Sequence, residues 1–249
     1  SLAHNFVRTV FEDSKGHLLI GTYIGIQMYD PATDNFTPLA KLEDTGETLE
    51  SNINSFIERK NGEIWVSGNV LCKLDIKDHL LTVRKVDIAV TSPGSLFEDK
   101  KQNVWMAKGE EGVYQLTPDN QLTLHLSKDN GYVKSICEDQ RGNIYVGSIR
   151  KGLFIYDKER KTFVPIDLKE KGELPVCFLY SGIPNELYIG TDGKGVVIYN
   201  IRTHEISEYK FDNNYFDSGN SKIHSILKDN SGNLWLAVYQ KGVILIPAR

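Results

Sequence analysis

Short apolar runs separated by polar turn residues recur along the whole chain. The runs are rich in β-branched and aromatic side chains and are bounded by Gly, Asn or Asp. The 3.6-residue periodicity of an amphipathic helix is missing. The pattern therefore predicts an all-β protein built from short strands.

Six segments share one order of features: an apolar strand, an acidic residue, a turn, an apolar–aromatic strand, a short loop and a third strand. The Trp of the second strand, or the residue in its place, recurs at spacings of 46, 40, 40, 43 and 47 residues. These positions are Leu19, Trp65, Trp105, Tyr145, Tyr188 and Trp235. A fourth strand is predicted around Phe36, Leu81, Phe163 and Ile206. This period is that of a four-stranded propeller blade. The sequence thus predicts a β-propeller with six recognisable four-stranded blades.

The blades are predicted approximately at residues 6–45, 52–88, 94–127, 132–168, 175–212 and 222–249, as a single propeller domain or a partial propeller. Innermost strands are expected to begin near Val7, Ile53, Ser95, Val133, Val176 and Ile223. We letter the strands of each blade A to D from the innermost outward.

The A–B turns carry residues that tolerate a positive φ. Four turns contain Gly, at Gly16, Gly62, Gly142 and Gly232. The third blade has Gln102-Asn103 instead, and Asn tolerates the same backbone region. The fifth blade, with Ile183-Pro184-Asn185, is one residue longer, and a wider turn is expected there.

Several side chains have a structural interpretation from their place in the repeat. The aromatic residues of the B strands, Trp235 among them, are expected to be buried between blades. The pairs Glu12-Asp13, Glu98-Asp99 and Glu138-Asp139 recur beside the hairpin, so turn capping is a better interpretation than acid–base catalysis. The cysteines are expected to be small buried hydrophobes; they are Cys72, Cys137 and Cys177.

Composition narrows the range of functions. The formal net charge of −4 argues against a nucleic-acid-binding surface, and no apolar run is long enough to insert this segment in a membrane. The chain opens Ser-Leu-Ala-His, so any targeting segment is expected to lie outside it. No closely spaced Cys or His pattern indicates a metal site, and neither a cofactor nor a catalytic residue is predicted.

Four segments resemble the two-component regulator propeller repeat, whose core is E-D-x-x-G-N-x-W-x-G-T. They read EDSKGHLLIGT, ERKNGEIWVSG, EDQRGNIYVGS and KDNSGNLWLAV. The chain departs from the core where Gln102 replaces the turn Gly and where Ala107 and Ala237 replace the Gly of Trp-x-Gly. The resemblance implies the periplasmic sensor region of a Bacteroidetes-type hybrid two-component system, with neighbouring propeller or sensor domains in the parent chain. It also implies an oligosaccharide ligand and a histidine kinase elsewhere in the parent protein.

The predicted ligand-binding residues lie in the B–C loops, which share one face with the D–A connections. They are Tyr23, Lys108, Arg150, Lys151, Lys194, Tyr239 and Lys241. Cations on one face of four consecutive blades favour an acidic sugar or sulfated glycan, and the tyrosines can stack on sugar rings. Tyr23 and Tyr239 belong to the first and last blades, which are neighbours if the ring closes. The alternative interpretation is that the loop lysines are only solvated.

Two other functions remain open. Propellers also host lyases and glycosidases, although no unrepeated carboxylate pair stands out here. A protein-interaction scaffold is the third alternative.

The sixth repeat ends without an outer strand, and the resembled family has rings of about seven blades. The sequence therefore predicts a piece of a longer periplasmic region with an exposed strand edge, which favours a homodimer. Compact closure with six blades is the alternative.

Overall fold

A computed structural model describes residues 1–126, 129–168, 174–210 and 220–248. These residues contain no α-helix. Their strands form six sheets, and each sheet is one predicted blade. The prediction of an all-β propeller with six blades is confirmed.

The chain divides into two compact units. The first contains Ser1–Met106 and Leu116–Leu122, and the second contains Ala107–Gln115 and Thr123–Arg249. Blade 3 contributes strands to both units.

Blades 1 to 3 contain strands β1 to β13. Blade 1 consists of β1 (Val7–Glu12), β2 (Leu18–Thr22), β3 (Ile26–Asp30) and β4 (Asn35–Phe36). Blade 2 has five strands, β5 (Lys41–Leu42), β6 (Ser55–Glu58), β7 (Ile64–Ser67), β8 (Leu71–Lys77) and β9 (Leu80–Lys85). Its fifth strand is β5, which pairs in parallel with β9 and was not predicted. Blade 3 consists of β10 (Leu96–Glu98), β11 (Val104–Lys108), β12 (Gly112–Leu116) and β13 (Leu122–His125).

Blades 4 to 6 belong to the second unit. Blade 4 consists of β14 (Val133–Glu138), β15 (Ile144–Ser148), β16 (Gly152–Asp157) and β17 (Thr162–Pro165). Blade 5 consists of β18 (Val176–Ile183), β19 (Glu186–Thr191), β20 (Val196–Asn200) and β21 (Ile206–Glu208). Blade 6 has three strands among the described residues, β22 (Ile223–Lys228), β23 (Leu234–Val238) and β24 (Gly242–Ile246).

The A–B turns differ from the sequence prediction in two blades. In blade 3 the residue with positive φ is Gln102, at 66°, so the expectation that Asn103 takes this conformation was wrong. In blade 5, Ile183 pairs directly with Glu186 across a two-residue turn, so the turn is not wider. The extra residue is absorbed by a bulge between Tyr180 and Ile183, which keeps the hairpin tight.

The aspartates before the turns are caps. Asp139 is buried, and its Oδ1 accepts hydrogen bonds from the backbone N–H groups of Arg141 and Asn143, at 2.8 and 2.9 Å. Its Oδ2 accepts hydrogen bonds from the Asn143 amide at 2.8 Å and the Tyr145 hydroxyl at 3.2 Å. Asp13, Asp99 and Asp229 accept equivalent backbone hydrogen bonds. The turn-capping interpretation is confirmed for the aspartate of each pair, Asp13, Asp99 and Asp139.

Consecutive blades of the second unit pack through close backbone approach. A Cβ added to Gly147 would lie 2.3 Å from Val176 Cγ1, and one added to Gly190 would lie 2.8 Å from Ile223 Cγ2. Only Gly leaves room for the first apolar residue of the next blade. The Gly of the Trp-x-Gly pattern therefore allows blades 4 and 5 each to pack closely against the next blade.

Strand register places equivalent apolar side chains in a row across each blade of the second unit. The rows are Cys137–Tyr145–Ile155 in blade 4, Tyr180–Tyr188–Ile198 in blade 5 and Leu227–Trp235–Leu245 in blade 6. In blades 4 and 5 the row packs against the following blade, as in the edge-to-face contact of Tyr145 with Tyr199.

The row of blade 6 is exposed instead. Trp235 is 38% exposed, Leu227 57% and Leu245 47%, so the prediction that Trp235 is buried was wrong. The physical reason is that no described blade of this unit covers that face. The burial prediction is confirmed for the other aromatic residues, Trp65, Trp105, Tyr145 and Tyr188, and for all three cysteines.

Candidate functional site

The innermost strands of four blades carry a β-bulge at their second residue. The register shifts around Arg8 in β1, Lys134 in β14, Cys177 in β18 and His224 in β22. A bulge re-aims a side chain out of the regular alternation and is frequent beside functional sites. A polar or reactive residue occupies each of these positions within otherwise largely apolar strands.

Three of these bulges lie side by side in the second unit, because β14 contacts β18 and β18 contacts β22. We call Lys134, Cys177 and His224, together with the pair Lys222–Asp192, the bulge cluster. Lys222 Nζ donates to Asp192 Oδ2 at 2.5 Å, and the backbones of these two residues form a β-bridge. The cluster therefore joins the start of strand A in blades 4, 5 and 6 to the B–C loop of blade 5.

The electrostatics of the bulge cluster are predominantly positive. Burial, and then the charges of Lys134 and Lys222, lower the pKa of His224, so its imidazole is neutral at pH 7. The same two ammonium groups oppose the effect of burial, which raises the pKa of the Cys177 thiol. The hydrogen bond to Asp192 raises the pKa of Lys222. One carboxylate thus faces two ammonium groups, which leaves a local excess of positive charge.

An exposed aromatic ring stands beside the cluster. Tyr239, one of the predicted ligand residues, is 53% exposed, and its ring centroid lies 5.6 Å from that of His224. Its backbone N–H donates to the carbonyl of Lys222, which fixes the loop against β22. Lys241, from the same loop, donates from Nζ to Ser221 Oγ at 2.9 Å. Two predicted residues are therefore next to the bulge cluster.

Two other predicted cations carry local carboxylate partners. Lys108 Nζ lies 2.7 Å from Glu111 Oε1 in the same loop. Arg150 Nη2 lies 2.7 Å from Glu110 Oε1 and so links the B–C loops of blades 3 and 4. These pairs reduce the positive charge that the loop sequence suggests.

Lys151 and Lys194 lie at exposed turn positions. The backbone N–H of Lys151 donates to Ser148 Oγ at 3.2 Å, and that of Lys194 donates to Thr191 Oγ1 at 3.0 Å. Their backbones are thus held by the last side chain of the B strand.

Tyr23 lies in the first unit. It is 54% exposed, with its ring 6.0 Å from both His4, in stacked geometry, and Phe6, in edge geometry. Tyr23 is thus part of an exposed aromatic group. As ligand-binding residues, all seven sequence-derived candidates remain predictions.

Sequence reasoning missed the bulge cluster because it concentrated on the loops. A signal was nevertheless present: Lys134 and His224 interrupt apolar strands at the same repeat position. Chemically, the cluster can bind an anionic group through Lys134 and Lys222, while His224 exchanges hydrogen bonds and Tyr239 offers a stacking face.

Within the described residues, no three His, Cys, Asp or Glu side chains are grouped so that they could hold a metal ion. The part of the chain that the structure describes has no helix capable of crossing a bilayer.

The succession of six blades identifies the chain as a β-propeller, and the bulge cluster lies beside its B–C loops. Residues 1–23, 127–150 and 217–240 match the family described as the two component regulator propeller. These three segments therefore match the repeat that the sequence resemblance predicted. No curated protein matched the chain.

Solved structures share the fold at low sequence identity. The extracellular domain of a putative hybrid two-component system from B. thetaiotaomicron is 18% identical, with a TM-score of 0.75 over 97% of this chain and 33% of the other. Inactive virginiamycin B lyase from Staphylococcus aureus with quinupristin is 12% identical, with a TM-score of 0.76 over 100% of this chain and 83% of the lyase. PorZ of the type-IX secretion system of Porphyromonas gingivalis is 13% identical, with a TM-score of 0.72 over 96% and 38%. The chain spans about a third of the length of the two-component relative.

Proposed function

We propose that this chain is the ligand-sensing module of a two-component signalling protein, located in the periplasm, and that its ligand is an acidic oligosaccharide. The observation that carries the proposal is the bulge cluster beside Tyr239. Support for the signalling context comes from the family repeats and from the hybrid two-component relative.

The site suits an acidic sugar for reasons of charge and shape. Lys134 and Lys222 supply positive charge with one carboxylate, Asp192, to offset it. Tyr239 exposes an aromatic face of the kind on which pyranose rings stack. Because the cluster spans three blades, an oligosaccharide bound there contacts several blades at once. Binding can therefore change how these blades pack against one another.

The experiment is a panel of defined oligosaccharides, neutral and acidic, assayed for both binding and turnover. We expect an acidic oligosaccharide to bind and to be recovered unchanged. Failure of every acidic compound to bind would overturn the proposal.

Turnover separates this proposal from the lyase or glycosidase alternative. The likeness to virginiamycin B lyase shows the fold alone, so a propeller enzyme stays a hypothesis. Conversion of a bound sugar to product would favour the enzyme and contradict a pure sensing module. For the scaffold alternative, a pull-down from periplasmic extract is the corresponding test.

A further inference from the structure

A polar groove opens in the first unit between blade 2 and the first-unit residues of blade 3. Its volume is about 580 Å³. The lining residues that matter are the cations Arg59, Lys73, Arg84 and Lys85, the carboxylates Glu63 and Asp87, and the indole of Trp65. Basic side chains therefore outnumber acidic ones around the groove.

Part of this lining is held in place by internal contacts. Arg59 Nε lies 2.8 Å from Glu98 Oε1, and Lys73 Nζ lies 2.7 Å from Glu63 Oε1. Both cations also lie over the Trp65 ring, at 4.5 and 5.4 Å from its centroid. The floor of the groove is thus fixed before any ligand arrives.

Two cations occupy positions that other blades fill differently. In the strand register, Lys73 of β8 lies opposite Trp65 of β7 and opposite Arg84 of β9. The matching partners of Tyr145 and Tyr188 are Ile155 and Ile198, which pack towards the next blade. The positions equivalent to Arg84 hold Val164 and Ser207.

In blade 2, the charged residues Lys73 and Arg84 occupy positions that hold uncharged residues in blades 4 and 5. This difference explains why a groove is present beside them. Cations avoid burial without a partner, so the blades do not close over them. Arg84 is exposed and forms no ion pair with another residue that the structure describes. Its guanidinium is therefore the group of the groove with hydrogen-bonding capacity to offer a ligand.

We propose that this groove is a second ligand site, which binds the oxyanion of a small charged sugar. The planar guanidinium of Arg84 can make two parallel hydrogen bonds to a carboxylate, sulfate or phosphate group. The site belongs to the first unit and shares no residue with the bulge cluster, so it does not rest on the proposed function.

The test is calorimetric titration with glucuronic acid, glucose 6-sulfate and glucose 6-phosphate, with glucose as the neutral reference. At least one charged sugar should bind, with an affinity that falls as salt rises. Arg84→Ala should weaken binding at least about tenfold, since hydrogen bonds to charged groups are the strong ones. The affinity of the Arg84→Lys variant should lie between that of Arg84→Ala and that of the parent chain.

Two control variants test whether the lost affinity belongs to the groove. Lys77→Ala removes an exposed cation from the same strand as Lys73 but outside the groove, and it should leave the affinity unchanged. Lys134→Ala/Tyr239→Ala alters only the bulge-cluster site and should also leave it unchanged. Arg84 is exposed, so a thermal melt should confirm that the Arg84→Ala variant remains folded.

Three results would overturn this inference: no charged sugar binds, the Arg84→Ala variant binds as tightly as the parent chain, or binding is lost only in the bulge-cluster variant. The last result would at the same time support the proposed function, so the two failures are distinguishable.

Discussion

Equivalent positions in the repeat have different surroundings, and the tryptophans of the B strands show this most clearly. Trp105 is 1% exposed and donates from Nε1 to Asp99 Oδ2 at 2.8 Å. Trp235 makes the same hydrogen bond to Asp229, also at 2.8 Å, but its ring is 38% exposed. The two residues therefore share their polar contact and differ in buried area.

This difference predicts unequal costs of truncation. Trp105→Ala should lower the free energy of unfolding by about 3–5 kcal/mol, as for other large-to-small core changes. Trp235→Ala should cost less than about 2 kcal/mol, because much of its area is already in contact with water. Urea denaturation of both variants measures the contrast. Equal losses would show that Trp235 is covered in solution.

A carboxylate in the first unit predicts a pH effect. Although burial acts in the opposite direction, hydrogen bonds from Lys73, Trp65 and Asn61 lower the pKa of Glu63 to about 2. The folded-state pKa lies below the unfolded value, so this stabilisation is present above about pH 4.5 and is lost as pH falls towards 2. Glu63→Gln should flatten the fall in the free energy of unfolding between pH 5 and pH 2.

Glu47→Gln, which changes an exposed carboxyl in the same unit, serves as the control for the Glu63 experiment. Parallel pH curves for Glu63→Gln and the parent chain would show that Glu63 is not stabilised by these contacts.

Blades 1, 3, 4 and 6 each carry an aspartate cap at the turn that joins the A and B strands. In blade 4, Asp139 accepts four hydrogen bonds with both carboxylate oxygens. Removing Asp139 leaves the donors of the turn and the hydroxyl of buried Tyr145 without this acceptor, which costs more than the hydrogen bonds themselves contributed.

Asp139→Ala should therefore destabilise the chain by roughly 2–4 kcal/mol. Asp139→Asn should cost less, because its amide oxygen still accepts from the backbone. Asp229→Ala provides a comparison, since the same cap stands in a more exposed turn. Thermal and urea unfolding should give that ranking; a neutral Asp139→Ala would remove the capping account.

Strand order was predictable from the sequence because the spacing of Trp, Gly and Asp is fixed by the geometry of one blade. Strands β14, β18 and β22 begin at the predicted residues. Bulges were not predictable in the same way, since the register shift at Lys134 or His224 depends on how the A strand meets the B strand. The blade-5 turn was misread for the same reason: a residue was added to the strand and not to the turn.

The candidate site was only partly predictable. The loop residues Tyr239 and Lys241 were identified from the repeat, and they lie beside the bulge cluster. Lys222, His224 and Asp192 were missed because their proximity arises from packing of successive blades, which no local pattern reports. Trp235 was misjudged because burial of an outer face depends on a neighbour that a single repeat does not specify.

At the scale of the whole molecule, blade 6 presents an apolar face and an open edge. Leu227, Trp235, Val243 and Leu245 are exposed together, and β24 has a strand partner on one side only among the described residues. An edge strand with unpaired backbone groups tends to recruit another chain. We expect a second copy of this chain to occupy it.

The expected outcome is concentration-dependent dimerisation in sedimentation equilibrium. Leu245→Lys should weaken the dimer by placing a charge in the exposed face. Leu80→Lys changes an isolated exposed leucine in blade 2 and should have no effect. A strictly monomeric chain at all concentrations would refute self-association through blade 6.

Binding of an acidic oligosaccharide by the bulge cluster and Tyr239 can be measured by calorimetry with the tightest acidic binder of the panel. The double variant Lys134→Ala/Tyr239→Ala should bind at least about tenfold more weakly than the parent chain, through loss of one charge contact and one stacking face. Lys158→Ala, an exposed cation at the blade 4 C–D turn, should bind as the parent does. An unchanged affinity in the folded double variant would contradict the account.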